Sequence, residues 1–144
     1  MRADAMHFLG HRYFRELLSL RMPPGDFVIC GSGPLYARGW IDDPSDLDIV
    51  ARGAAWKIAA RLGPIEGAPY SAARRVPLFG GDLDVFDDWF PEFGTVDELI
   101  DRADVLAGLR FVTLDVVATT KLMMGRDRDR AHLQVLRAHG HPAP

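Results

Sequence analysis

An α/β (α+β) fold is what the sequence predicts, on three observations. Short apolar runs that abut glycine turns, at 27–30 before Gly31 and 83–86 after Gly80-Gly81, have the length and composition of buried strands. Helical patterns frame the chain, one over residues 4–20 and two over 114–124 and 127–139. Strand-like and helix-like stretches alternate between them, without an internal repeat or a low-complexity segment.

In order, the first element is an amphipathic helix. Met6, Leu9, Tyr13, Phe14, Leu17 and Leu18 recur at helical spacing until Pro23-Pro24-Gly25 stops the pattern. Phe27, Val28, Ile29 and Cys30 then form a strand feeding the turn Gly31-Ser32-Gly33-Pro34, followed by a short helix over 35–38. Leu47, Ile49 and Val50 mark a second strand, and 54–62, free of breakers, a helix closed by Gly63-Pro64. Residues 65–75 read as loop or irregular strand. Residues 76–79 and 83–86 read as a hairpin, in which Asp82, Asp84 and Phe86 would share one face. Thr95 with Glu98 has capping-box spacing at the start of a helix over 95–102, and 110–112 is a further strand.

The 144 residues, 48% hydrophobic and 26% charged, suit one soluble globular domain, 1–144, with the 1–22 and 114–139 helices packed on its sheet. A chain of this size leaves little room for a separate substrate-holding domain, so a homodimer mate, a partner protein or the substrate itself is expected to complete the pocket. A net charge of -3 argues against a broad basic surface that grips nucleic acid through its phosphates. Cys30 stands alone and excludes an internal disulfide framework, and no apolar run is long enough to span a membrane. A cytoplasmic protein with no membrane contact is the resulting expectation.

The chemistry concentrates in a few acids. On a strand, Asp46 and Asp48 project to the same face while Leu47 points into the core. Two adjacent carboxylates repel unless a cation sits between them, and hard oxygen ligands suit Mg²⁺. An isolated Asp-x-Asp is nevertheless common on surfaces. Its context gives it weight: Gly31 and Ser32, at the end of the preceding strand, offer backbone N–H groups and a hydroxyl to phosphate oxygens, and Asp84 supplies a third carboxylate.

The pattern Ile29-Cys30-Gly31-Ser32, thirteen residues (33–45), then Asp46-Leu47-Asp48-Ile49 resembles the signature of the DNA polymerase β-type nucleotidyltransferase superfamily. Leu83-Asp84-Val85 resembles that family's third acidic strand. The stretch from Thr113-Leu114 through Lys121-Leu122 to Gly125-Arg126-Asp127-Arg128-Asp129 is similar to the helix pair of small bacterial members, including abortive-infection type toxins of toxin-antitoxin systems. Leu35-Tyr36 and Gly39 before Ser45-Asp46 fit the same members. The resemblance implies a palm-like fold with a small mixed sheet flanked by helices. It implies a two-metal, Mg²⁺-dependent transfer of an NMP group from an NTP, ATP by default, to a hydroxyl acceptor with release of pyrophosphate. The acceptor would be a small molecule, a protein or a tRNA end. Asp46, Asp48 and Asp84 would hold the ions, with Asp84 also taking the acceptor's proton, while Gly31, Ser32 and Lys121 would bind the nucleotide. A nucleotide-binding or partner-binding module without catalysis is the alternative on the same fold.

Other residues carry competing readings. Asp82 rivals Asp84 as the third acid. Pro34 removes an N–H that phosphate might use, and His132 stands where toxin-like members often have an acid. His7 and His11 have metal-ligand spacing but no third ligand, and the run 126–130 reads as a solvated helical face. Arg38, Arg74 and Arg75 are phosphate contacts or surface charge. Trp40, Trp56, Trp89 and Phe90 read as core or rim.

Overall fold

The computed structural model describes residues 7–143. Seven strands form one mixed sheet in the order β3-β4-β5-β2-β1-β7-β6. They are β1 (Phe27–Cys30), β2 (Leu47–Ala51), β3 (Glu66–Gly67), β4 (Arg74–Leu78), β5 (Leu83–Phe86), β6 (Asp104–Leu106) and β7 (Leu109–Phe111). The α-helices among the described residues are α1 (Arg12–Ser19), α2 (Gly33–Ala37), α3 (Gly53–Ala60), α4 (Val96–Asp101), α5 (Leu114–Met124) and α6 (Asp127–Ala138).

Strand alternation sorts the side chains into two apolar layers. Phe27 and Ile29 of β1, Leu47, Ile49 and Ala51 of β2, and Leu83 and Val85 of β5 face a layer closed by Phe14 and Leu17 of α1 and Ala55 and Ala59 of α3. Val28 and Cys30, Val50, and Phe86 face the opposite layer, closed by Leu99 and Ile100 of α4, Val117 and Ala118 of α5, and Leu133 and Leu136 of α6. The same alternation puts Asp48 and Asp84 on that second face, under α5 and α6. Their strands run parallel, with Asp48 directly opposite Asp84, and β1 runs antiparallel to β2, with Cys30 opposite Asp48.

Several expectations need correction. The helix over 4–20 is broken: His7–Gly10 is a 3-10 turn, and His11 caps α1 by accepting a hydrogen bond at Nδ1 from the Tyr13 N–H at 3.1 Å. Asp4 and Met6 lie outside the described residues. His11 is thereby a helix cap, and among the described residues no cluster of metal-ligand type includes a histidine. The 76–79 and 83–86 hairpin forms as β4 and β5, but Asp82 does not join the second strand. Its backbone is helical, at φ -61 and ψ -36, so strand alternation does not reach it, and its carboxylate meets Arg12 at 3.4 Å.

Residues 65–75, read as irregular, contribute the two-residue β3 and the start of β4. The sequence reading missed β6, which pairs with β7 around Ala107 and Gly108. Both residues have positive φ, +51 and +80, as a two-residue hairpin turn requires. The capping box at Thr95 is present: Thr95 Oγ1 accepts from the Glu98 N–H at 3.2 Å, and Glu98 Oε1 accepts from the Thr95 N–H at 3.1 Å. Helices α5 and α6 flank Gly125 as expected, and no described helix is long and apolar enough to cross a membrane.

Candidate metal centre and the cleft around it

Asp46, Asp48 and Asp84 come together in space. One carboxylate oxygen from each lies within 4.8 Å of the others. The parallel register supplies two of the three, since neighbouring strands are about 4.8 Å apart, and Asp46, two residues before Asp48, reaches the same face. Burial, then the charges of Asp46 and Asp84, push the Asp48 carboxyl up to about 7. Burial also raises Asp46, against the pull of Arg128, Lys121 and Arg126. Asp84 is raised by burial, with Arg75 opposing. Three acids this close, in this little water, fit a divalent cation with oxygen ligands, which would relieve both their repulsion and their desolvation.

Gly31 makes the approach to Asp48 feasible. Its φ is +65, and a Cβ placed there would sit 2.8 Å from Asp48 Oδ2, so glycine meets both the backbone and the space requirement. Ser32 follows, but its hydroxyl is already engaged. It accepts a hydrogen bond from Lys121 Nζ at 2.9 Å and lies 3.4 Å from His132 Nδ1. Ser32 therefore does not line the cleft itself and reaches it through Lys121.

Lys121 on α5 is only 4% exposed, and it is held 3.4 Å from Asp129 on α6, which is 0% exposed. Burial lowers the Lys121 ammonium below its ordinary value, with Asp129 opposing. For Asp129, burial acts upward, yet hydrogen bonds from the Arg126 side chain, at 2.7 and 3.3 Å, and from the Arg126 N–H, at 3.1 Å, carry it below the usual carboxylate range. Burial and the nearby Lys121 take His132 down to about 4, so it is neutral near pH 7 and serves as a hydrogen-bond partner to Ser32.

The reading of 126–130 as a solvated face is corrected by this arrangement. Asp127 and Arg130 do pair with each other in solvent, but Arg126, Arg128 and Asp129 line the cleft. A signal was present in the sequence: Asp129, Leu133 and Leu136 stand at i, i+4 and i+7, which places Asp129 on the apolar stripe of α6.

The cleft encloses about 260 Å³. Its floor is Gly31, Asp46, Asp48 and Asp84, one wall is Lys121, Arg126, Arg128 and Asp129 with the Tyr70 ring under Arg126, and another comprises Phe86, Trp89 and Phe90. Arg75 lies at the lip beside Asp84, its Nη1 3.5 Å from Asp84 Oδ2, with its other nitrogens 2.8 and 2.9 Å from Glu66 Oε1. Of the earlier arginine candidates, only Arg75 is at the site. Arg38 pairs with Asp104 at 3.0 Å and Arg74 with Asp87 at 2.7 Å. Trp89 and Phe90 belong to the cleft wall, whereas Trp40 stacks on His139 at 4.2 Å and Trp56 lies under Arg74.

Compared with known proteins, the chain matches no family model, no curated protein and no solved structure, so the chemistry of the cleft rests on its own residues.

Proposed function

We propose that the chain is a Mg²⁺-dependent nucleotidyltransferase of the polymerase β type, moving an NMP group from an NTP to a hydroxyl and releasing pyrophosphate. The observation that carries this reading is the register that sets Asp84 opposite Asp48 with Asp46 beside them, next to a wall of Lys121, Arg126 and Arg128. Carboxylates clustered against a cationic wall suit a ligand made of polyphosphate and divalent metal. The arrangement β1, Gly31-Ser32, α2 and β2, with β5 parallel to β2, is compatible with a palm-like nucleotidyltransferase fold.

Asp46, Asp48 and Asp84 would hold the divalent ions. Bound there, the ions supply Lewis-acid polarisation of phosphoryl oxygens and lower the pKa of the attacking hydroxyl. The acceptor oxygen bonds to the α-phosphorus, and the bond from that phosphorus to the oxygen bridging to the β-phosphate breaks. Pyrophosphate leaves, and the acceptor's proton passes to the Asp84 carboxylate. Lys121, Arg126 and Arg128 offer positive charge to the departing pyrophosphate. The Ser32 hydroxyl orients Lys121.

The experiment is incubation of the protein with each α-labelled NTP and Mg²⁺, with and without cell extract. A labelled product with pyrophosphate release, lost in Asp48→Asn and Asp84→Asn, supports the reading. Nucleotide bound without release of pyrophosphate would instead favour the binding module.

A further inference from the structure

We propose that Phe86, Trp89 and Phe90 form the acceptor subsite, and that it takes an uncharged hydroxyl compound whose reacting end is a flat apolar ring, in preference to a polycation. The inference rests on the nucleotidyl-transfer reading and specifies the acceptor it leaves open.

The sheet supplies a ruler across the cleft. Passing from β1 through β2 and β5 to β4, one meets Gly31, Asp48, Asp84 and Arg75 in that order. The cationic side chain in contact with the β1 end is Lys121, through Ser32. A triphosphate whose leaving end lies against the cations places its α-phosphorus over the acids, and in-line displacement then brings the attacking hydroxyl from the Asp84 side. Phe86 stands two residues beyond Asp84 on the same face of β5. Trp89 packs edge-on against Phe86 at 5.3 Å and against Phe90 at 5.1 Å, so the three rings form a continuous surface beside the third acid.

Two further observations define the ligand. The lining contains as many cations as carboxylates, four of each. Two divalent ions offset an ionised triphosphate, which leaves no spare carboxylate in the lining to hold an ammonium. The volume of about 260 Å³ lies below the usual range for a drug-sized ligand, which limits the enclosed part of the acceptor to about one ring.

The test uses the full chain with 4-nitrobenzyl alcohol, an uncharged ring alcohol, as probe and kanamycin as the polycationic competitor. Binding is followed by ligand-observed NMR, and turnover by release of pyrophosphate from α-labelled ATP and Mg²⁺. Saturable binding is expected, with faster pyrophosphate release, a labelled ester of the probe and no displacement by kanamycin. Trp89→Phe keeps an aromatic ring but shortens the wall, and should weaken the probe about fivefold through lost ring contact. Phe90→Ser, at a half-buried site, should weaken it by at least about fivefold through lost ring contact. Thermal melts confirm that both variants fold. Displacement by kanamycin, or wild-type affinity in both folded variants, overturns the proposal. Mg²⁺-dependent ATP binding without saturable probe binding overturns the subsite alone. Probe binding in a protein that binds no nucleotide overturns the transfer reading and the acceptor role with it.

Discussion

Replacing Asp48 with asparagine should make the metal-free protein more stable while removing its metal response. Burial and two neighbouring acids hold the Asp48 carboxyl at about 7, against an ordinary 3.8, and that gap corresponds to roughly 4 kcal/mol of disfavoured ionisation. The folded pKa is raised, so the stability linked to Asp48 is fully present below about pH 4 and is lost as pH rises through about 7. An asparagine side chain carries no charge and escapes that loss. Its amide needs hydrogen-bond partners in a confined place, which costs about 1–3 kcal/mol and leaves a net gain of roughly 2 kcal/mol at pH 8. For a chain of this length that is a rise in Tm of about 8 °C. The assay is thermal unfolding in chelator from pH 4 to pH 8. Wild type should lose stability with rising pH and regain it with Mg²⁺. Asp48→Asn should show a flatter profile and a much smaller Mg²⁺ shift. A substitution that destabilises equally at pH 4 and pH 8, or leaves the Mg²⁺ shift unchanged, would refute the account of Asp48 as an acid strained for metal.

Other predictions rest on separate contacts. Asp129→Leu leaves Lys121 buried without its carboxylate and should cost about 3–5 kcal/mol in chemical denaturation, whereas adding Lys121→Met should recover most of that loss without restoring activity. Gly31→Ala puts a Cβ 2.8 Å from Asp48 Oδ2 at a φ of +65, and should weaken Mg²⁺ affinity by about 10- to 100-fold in calorimetry. Asp82→Asn removes a contact with the largely exposed Arg12, so its stability should change by under about 1 kcal/mol and pyrophosphate release should stay within about twofold of wild type. Cys30 is fully buried and its thiol is pushed up, by burial first and Asp48 second, so a thiol reagent should label it only after denaturation.

Much of the site was legible because its spacing is local. Asp46-Leu47-Asp48 is a period-2 signal, and Gly31-Ser32 follows a continuous apolar strand, so the pair and the turn were readable without tertiary information. The choice between Asp82 and Asp84 was not readable, because it depends on where a turn ends. Gly80 and Gly81 hold the chain in a 3-10 turn, and Asp82 keeps helical φ and ψ before the strand begins. Asp129 was obscured by its charged neighbours: the alternating run suggests a solvated face, and its burial shows only in its spacing to Leu133 and Leu136. The first helix failed at Gly10 because its apolar spacing continues through the break, while His11 caps the next element. Arg75 stayed open between phosphate contact and surface charge, and Trp89 and Phe90 read only as core or rim, since β4, the end of β5 and the residues after it reach the cleft through sheet pairing and not through sequence proximity.

The most direct test of the central claim is a Mn²⁺ titration followed by electron paramagnetic resonance, with a non-hydrolysable NTP present, on wild type and Asp48→Asn. Two ions bound per chain in wild type, with that binding largely lost in the variant, is the predicted result. Ion binding that is absent in wild type, or that survives undiminished in Asp48→Asn, would contradict the assignment of Asp46, Asp48 and Asp84 as the metal centre.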